Sequence, residues 1–538
     1  MNQVRPQGPR FEFSRRQLLR YSGIGAAAVG GGSFLAACGG DDGGNGGGNG
    51  GGNGNGGGGP QGSGGVLIHG ATGGGSKDTL DPHAPVTNPD IARVSNLFEP
   101  LFFWNNNYEL EPALAESIEG SDDAKTWTIK MRQGVTFHNG KDVTADDAWF
   151  SIQRVADPEA PLSAGGQLST ILDFDACKVV DPATLQLVLK VPYALLDSLL
   201  AEYTLGIIPT DFDVANPVGT GAFAFKAFEP GKASTFTKYA DYWGDAAFVD
   251  ELQIQDFADD SAKVNALQAG QIHTVDNLPY NLIDTIKGAG GGALVSETGA
   301  WVPFTMRVDQ APFNDVKVRQ AMRLIVDRQQ MIDQTLSGYG SLGNDMYAPF
   351  DVAYAADLPQ REQDIDQAKS LLKEAGQEGL QVELFTGDDI GSVAPAAANL
   401  FKEQAKAAGV DVKVTKKTPF YDDQYLQYTF AQDFWNTRNY IPQAVVGTFP
   451  PDQGGTYNET HWDNADHRDL VNAAAQELDE AKRAELLHQA QEIEYNEGGL
   501  IVWGFRQQVD GYGPNVNGLE PSKYLPLGSY KFNKVSVQ

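Results

Sequence analysis

The sequence predicts an α/β protein of more than one lobe, on three observations. Apolar residues alternate with polar ones at Trp127, Ile129 and Met131, at Leu185, Leu187 and Leu189, and at Val410, Val412 and Val414. That period of two marks half-buried strands. Ile365, Ala368, Leu371, Leu372 and Ala375 instead follow helical spacing, and Gly376 stands where a helix stop belongs. The chain has 538 residues, enough for two to four domains, and no low-complexity break or internal repeat divides it after Gly65.

From the N-terminus, residues 1–20 carry Arg5, Arg10, Arg15, Arg16 and Arg20 against one acid, Glu12. Tyr21–Ala37 is small and weakly apolar, 17 residues diluted by glycine. A membrane span needs about 20 strongly apolar residues. A basic head, a modest apolar stretch and small residues at its end make residues 1–37 an export signal. Ser14-Arg15-Arg16-Gln17-Leu18-Leu19-Arg20 resembles the twin-arginine motif, with Leu18 where Phe is commoner. Leu35-Ala36-Ala37-Cys38 resembles a lipobox, in which the Cys38 thiol is acylated and becomes the mature N-terminus. Positions 39–65 hold 18 glycines, so 38–65 reads as a lipidated cysteine and a tether spanning roughly 30 Å. These segments place the body outside the cytoplasm, anchored to the cell membrane through lipid.

Within the body, Thr144 and Asp147 stand at capping-box spacing, with Asp in place of the usual Glu or Gln. Leu380–Thr386, a helical stretch near Ala396–Ala408, and Val410–Thr415 read as a βαβ unit, with Pro395 in the helix's first turn. Leu470–Tyr495 reads as one long helix or two, ended by Gly498-Gly499.

Composition excludes several functions. Lys plus Arg is 40 and Asp plus Glu is 70, a formal charge of −30. A nucleic-acid binder needs a basic face to displace phosphate counterions. Cys38 and Cys177, the two cysteines, build neither a disulfide framework nor a cysteine-rich metal site; Cys177 reads as a small buried apolar residue. No His-Glu-x-x-His and no Gly-x-Ser-x-Gly occurs in the body. Gly70–Lys77 has Ser76 where a phosphate loop requires glycine, and Gly219-Thr220-Gly221 lacks the third glycine of a dinucleotide fingerprint. In His461-Trp462-Asp463-Asn464-Ala465-Asp466-His467, Asp463-Asn464 precedes a helical pattern and reads as a cap rather than a metal site. Neither catalysis, cofactor nor metal is expected.

Several segments together carry a family resemblance. Leu114-Ala115-Glu116-Ser117 is followed by Trp127–Gly140 and Val143–Ala148; then come Asn216–Phe223, Asp241–Gly244 and Pro312–Ala321, running on to Asp327-Arg328 and Gly338-Tyr339-Gly340. In this order they resemble the extracytoplasmic solute-binding proteins of peptide-type ABC importers, the dipeptide/oligopeptide class, family 5. The resemblance implies a two-lobed periplasmic-binding-protein-like fold (type II, Venus-flytrap) with an extra domain inserted in the first lobe. It places lobe I at 66–100, 217–300 and 500–538, the inserted domain at 101–216, and lobe II at 301–499. It implies a monomer that closes on a small solute, a di- or oligopeptide by default, and delivers it to a permease driven by an ATPase; the alternatives are a non-peptide solute such as an oligosaccharide or nickel chelate, or an exported enzyme or sensor on the same fold. Phe137 and His138 are expected to be scaffold, and Gly219 and Gly221 to supply backbone geometry other residues cannot adopt.

Family ligand contacts gather in a loop matched here by Trp435-Asn436-Thr437-Arg438-Asn439-Tyr440-Ile441-Pro442. Peptide binders commonly place an Asp there for the ligand's α-ammonium, and Ile441 stands at that position. Either Asp433 or another acid substitutes, or the ligand has no free amino terminus there. Arg438 is a candidate for bidentate carboxylate recognition or a structural ion pair. Trp435 and Tyr440 stack on ligand or pack the core, with Asn436 between them. His83, in Thr79-Leu80-Asp81-Pro82-His83, lies in a segment resembling the family's first-lobe cleft loop. His83 and Trp503, the latter near a lobe crossing, are candidate ligand contacts; the tract 300–310, with Trp301, Phe304 and Arg307, lies near the expected hinge and either lines the cleft or holds the crossover.

Overall fold

A computed structural model describes residues 64–160, 162 and 165–538. Arg15, Arg16, Cys38 and nearly all of the glycine tract lie outside the described residues. No helix among those described is long and apolar enough to cross a membrane.

Three main sheets organise the described chain. The first has eight strands, in the order Gly292–Trp301, Gly504–Tyr512, Thr274–Val275, Val66–Thr72, Glu251–Phe257, Ala233–Lys238 and Phe223–Glu229, with Gly340–Leu342 also paired to Gly504–Tyr512. Val66–Thr72 runs parallel to both its neighbours. The second has five strands, ordered Asp411–Lys417, Gln381–Gly387, Phe430–Gln432, Phe304–Met306 and Leu500–Ile501. The third is antiparallel: Ala115–Gly120, Thr126–Met131, Thr184–Val188 and Lys178–Asp181. Each sheet has its own apolar core, as an area-limited chain of this length requires.

Local sequence explains these elements. Trp127, Ile129 and Met131 point into the core of the four-stranded sheet while the residues between them are more exposed. Gln381–Gly387 and Asp411–Lys417 pair in parallel across helix Val393–Ala407, with Pro395 in its first turn where no N–H is missed. The stretch near Leu470–Tyr495 is two helices, Ala465–Gln476 and Glu480–Glu497. Asn464 caps the first by accepting the His467 N–H at 3.0 Å, and Asp479 caps the second. The Asp147 carboxylate accepts the Thr144 N–H at 3.0 Å at the start of helix Ala145–Val155.

The motif around Phe137–Gly140 docks on the turn at Gly219–Gly221. The His138 N–H donates to Gly219 O at 2.9 Å, and its ring Nε2 lies 2.8 Å from Gly221 O. Neither glycine has positive φ. The reason for glycine is close approach: a Cβ at Gly219 would lie 1.9 Å from Leu97 O, and one at Gly221 would lie 2.1 Å from Asn96 O. Gly219→Ala is therefore expected to destabilise by roughly 1–3 kcal/mol through forced backbone displacement, read as a lower urea midpoint at unchanged slope.

The chain passes between the two large sheets at two neighbouring places. Gly292–Trp301 of the first continues through Val302-Pro303 into Phe304–Met306 of the second; Leu500–Ile501 of the second continues through Val502-Trp503 into Gly504–Tyr512 of the first. Two short crossings between rigid sheets are the geometry of a hinge. Buried Asp345 ties one of them: its N–H donates to Val502 O and its carboxylate accepts the Val502 N–H, both at 3.1 Å. The same carboxylate accepts from Arg328 at 2.7 Å and Arg361 at 2.5 Å.

Candidate functional site

The five-stranded sheet presents its strand ends to the seam between the bodies. Strand Phe430–Gln432 runs straight into Asp433, Phe434 and Trp435, and Trp435 bridges back to Trp301 through paired backbone hydrogen bonds of 2.9 Å. The loop ends at Asn439, from which helix Tyr440–Thr448 starts. The ends of sheet strands are where open α/β folds place their ligands.

A column of stacked rings fixes this loop. Trp435 stacks on Trp301, Trp301 on Tyr347, and Tyr347 on Tyr440, with centroid separations of 6.2, 5.6 and 5.0 Å and planes within 18°. Trp435 and Tyr440 are thus core residues, 3% and 0% exposed. Ile441 is buried in the same cluster, so the position that carries an acid in peptide binders here packs the core. Arg438 is exposed, its guanidinium 5.4 Å from the centre of the Trp435 ring. Asn436 is also exposed. Asp433 is buried and accepts from the Tyr421 hydroxyl at 2.6 Å, and the Tyr425 hydroxyl lies between the Asp433 and Glu459 carboxyls.

Below the loop, the Tyr440 hydroxyl donates to Glu494 at 2.7 Å and lies 2.9 Å from His467 Nε2. Burial pushes the Glu494 carboxyl up to about 7 and the His467 imidazole down to about 3. A buried acid raised from 4.5 holds an extra proton in the native state, so its contribution to stability falls as pH rises from about 4.5 to about 7. Glu494→Gln removes that fall. It should be near neutral at pH 5 and stabilising by up to about 3 kcal/mol at pH 8, measured by urea unfolding at both pH values.

Across the seam stand residues from three distant segments. Glu202 and Tyr203 follow the short helix Leu196–Leu199; Tyr524 comes from the C-terminal segment; Tyr108 lies in the turn between strands Phe102–Trp104 and Leu110–Pro112. Glu202, Tyr203 and Tyr524 are half-buried. The Tyr524 hydroxyl donates to Glu202 at 3.2 Å. Burial pushes the Glu202 carboxyl above its ordinary range, and Arg438, facing it, pulls it back in part. Sequence reading missed this group. Positions 108, 202–203 and 524 share no spacing, and folding alone brings them together.

The two sides touch. Ala194 N–H donates to Ala475 O at 2.7 Å, and Thr437 Oγ1 accepts the Gly299 N–H at 2.8 Å and donates to Lys523 O at 3.2 Å. Phe350 lies 6.3 Å from the Tyr108 ring and 4.5 Å from the Lys523 ammonium.

The remaining predicted residues lie off this seam. His83 is fully buried, accepting from Arg154 at 2.6 Å on Nδ1, with Nε2 2.8 Å from Gly206 O. Burial lowers its pKa to about 4, so it is a neutral structural imidazole. Trp503 is 1% exposed and packs in the core of the five-stranded sheet. Arg307 pairs with Asp309 at 2.7 Å.

This arrangement has known counterparts. The family model for bacterial extracellular solute-binding proteins, family 5, matches residues 109–482. The glutathione-binding protein GsiB of Shigella flexneri is 24% identical over 489 residues, covering 86% of this chain and 93% of that protein. The periplasmic binding protein DppA of Helicobacter pylori, solved with the peptide STSA, superposes with TM-score 0.71 at 22% identity over 88% of this chain and 98% of that one. The substrate-binding protein CtaP of Listeria monocytogenes gives TM-score 0.78 at 21% identity, covering 88% and 99%. These likenesses bear out the expected two-lobed α/β fold. With the signature matched over most of its length, the chain belongs to family 5 of the bacterial extracellular solute-binding proteins.

Proposed function

We propose that this chain is a lipid-anchored extracytoplasmic receptor that captures a di- or oligopeptide between its lobes and hands it, chemically unaltered, to an ABC permease. Lobe I is taken as 66–100, 217–300 and 500–538, lobe II as 301–499, with 101–216 as an inserted domain. The observation that carries the reading is the loop after strand Phe430–Gln432, which leaves Asn436 and Arg438 exposed at the strand ends; a guanidinium there suits a carboxylate-bearing solute. Relatives are named for glutathione and solved with the peptide STSA. Asn436 and Arg438 are the exposed groups of the binding loop; Trp435 and Tyr440 hold it in place. Binding energy stabilises the closed form, and no bond is made or broken.

A thermal-shift panel of peptides tests the reading. A bound ligand at 100 times its Kd stabilises by about 2.7 kcal/mol, and turnover of any peptide by the purified chain would sink it. The anchoring is tested separately: Cys38→Ser should move the protein from the membrane to the soluble fraction, since acyl chains hold it by about 0.8 kcal/mol per buried CH₂.

A further inference from the structure

Thr437 stands between the exposed Asn436 and Arg438 in the candidate loop, and its hydroxyl spends both a lone pair and its proton on the far side of the seam. It accepts the Gly299 N–H at 2.8 Å and donates to Lys523 O at 3.2 Å. Gly299 lies in the last strand before one crossing and Lys523 in the C-terminal segment. Both belong to the proposed lobe I, whereas the loop belongs to the proposed lobe II.

The strand is shaped for this contact. Pairing of Gly292–Trp301 with Gly504–Tyr512 shifts register between Ser296 and Ala300, and an irregularity of that kind re-aims the groups within it. Thr298 Oγ1 reaches across to Arg506 O at 2.5 Å. Gly299 is buried, and its N–H turns to Thr437 instead of to the ladder. The approach is close: a Cβ at Gly299 would lie 3.3 Å from Thr437 Cγ2. A buried N–H deprived of its acceptor costs more than the bond itself contributes, so the seated loop keeps this amide satisfied.

Lys523 is gripped from three sides. Its N–H donates to Asn106 O at 3.0 Å in the proposed inserted domain, its carbonyl takes the Thr437 proton, and its ammonium lies 4.5 Å from the centre of the Phe350 ring in lobe II. One hydroxyl thus joins the loop to two lobe I segments and, through Lys523, to the inserted domain.

We propose that Thr437 is a positioning residue that latches the candidate loop to lobe I, so that loop and seam open and close together. The latch rests on the lobe division above and not on which solute is carried. Two neutral hydrogen bonds bias the open–closed balance without freezing it.

Amide hydrogen exchange on the purified full-length chain, with no solute added, tests this. Thr437→Val keeps the shape and removes the hydroxyl; Thr437→Ser keeps the hydroxyl. The valine variant should exchange the Gly299 amide about tenfold faster than the parent, the order expected for losing these bonds. The Ala194 amide donates to Ala475 O at 2.7 Å, between the inserted domain and lobe II, and should speed up as well because the seam opens as a whole. Serine should restore both to the parent rate. The amides of strand Thr126–Met131, in a separate core, should keep the parent rate throughout. Parent rates at Gly299 in the valine variant, or faster exchange there with Ala194 unchanged, overturn the latch. So does a serine variant that exchanges like valine. If valine speeds Thr126–Met131 too, Thr437→Ala decides: the same global loss makes Thr437 a support of the general fold and overturns the latch, and loss confined to the seam upholds it. Failure of the latch leaves the peptide reading standing.

Discussion

Asp345→Ala is expected to cost about 3–5 kcal/mol of stability, the range for removing one partner of a buried ion pair. Burial alone would push this carboxyl up, yet Arg328, Arg361 and Arg323 outweigh it and hold the pKa below the ordinary value. Alanine strands those guanidiniums in a buried site. It also removes the acceptor for the Val502 N–H at the crossing between lobes. Urea unfolding should show a much lower midpoint. Asp345→Asn keeps some acceptors and should fall between parent and alanine. A parent-like Asp345→Ala would mean that the charges find water instead, and the hinge would not depend on this carboxylate.

Arg438→Ala should lower affinity for a carboxylate-bearing peptide by about 10²-fold, in line with a loss of 2–5 kcal/mol for truncating one partner of a desolvated charge pair. Its unliganded melting temperature should hardly move, because the side chain is exposed and exposed substitutions stay within about 0.5 kcal/mol. The contrast with Trp435→Ala decides the interpretation. Trp435 is at the end of the ring column, so its truncation should cost roughly 3–5 kcal/mol as a core cavity. Calorimetry paired with thermal melting separates the two. If Arg438→Ala binds like the parent, the carboxylate is read elsewhere.

Much of the fold was legible because it rests on local patterns. Alternation at Trp127–Met131 gave a strand, Gln381–Lys417 gave a βαβ unit, and Asn464 gave a cap. The Thr144–Asp147 box survived its atypical acid because Asp147 still reaches the Thr144 N–H. The site was less legible. The candidate loop residues were found by resemblance, but they divide by burial, which sequence does not encode: Arg438 and Asn436 are exposed while Trp435, Tyr440 and Asp433 are buried. Glu202 and its tyrosines are joined only through tertiary structure. Gly219 and Gly221 were expected to need special backbone angles; the neighbouring carbonyls of Leu97 and Asn96 are the actual constraint.

The position of Gly504–Tyr512 bears on how the protein is made. This strand is inserted between Gly292–Trp301 and Thr274–Val275, one place in from the edge of the largest sheet. A nascent chain stopped just short of position 504 therefore has a gap between Gly292–Trp301 and the rest of that sheet. Gly504–Tyr512 acts as a keystone that joins strands made about two hundred residues earlier.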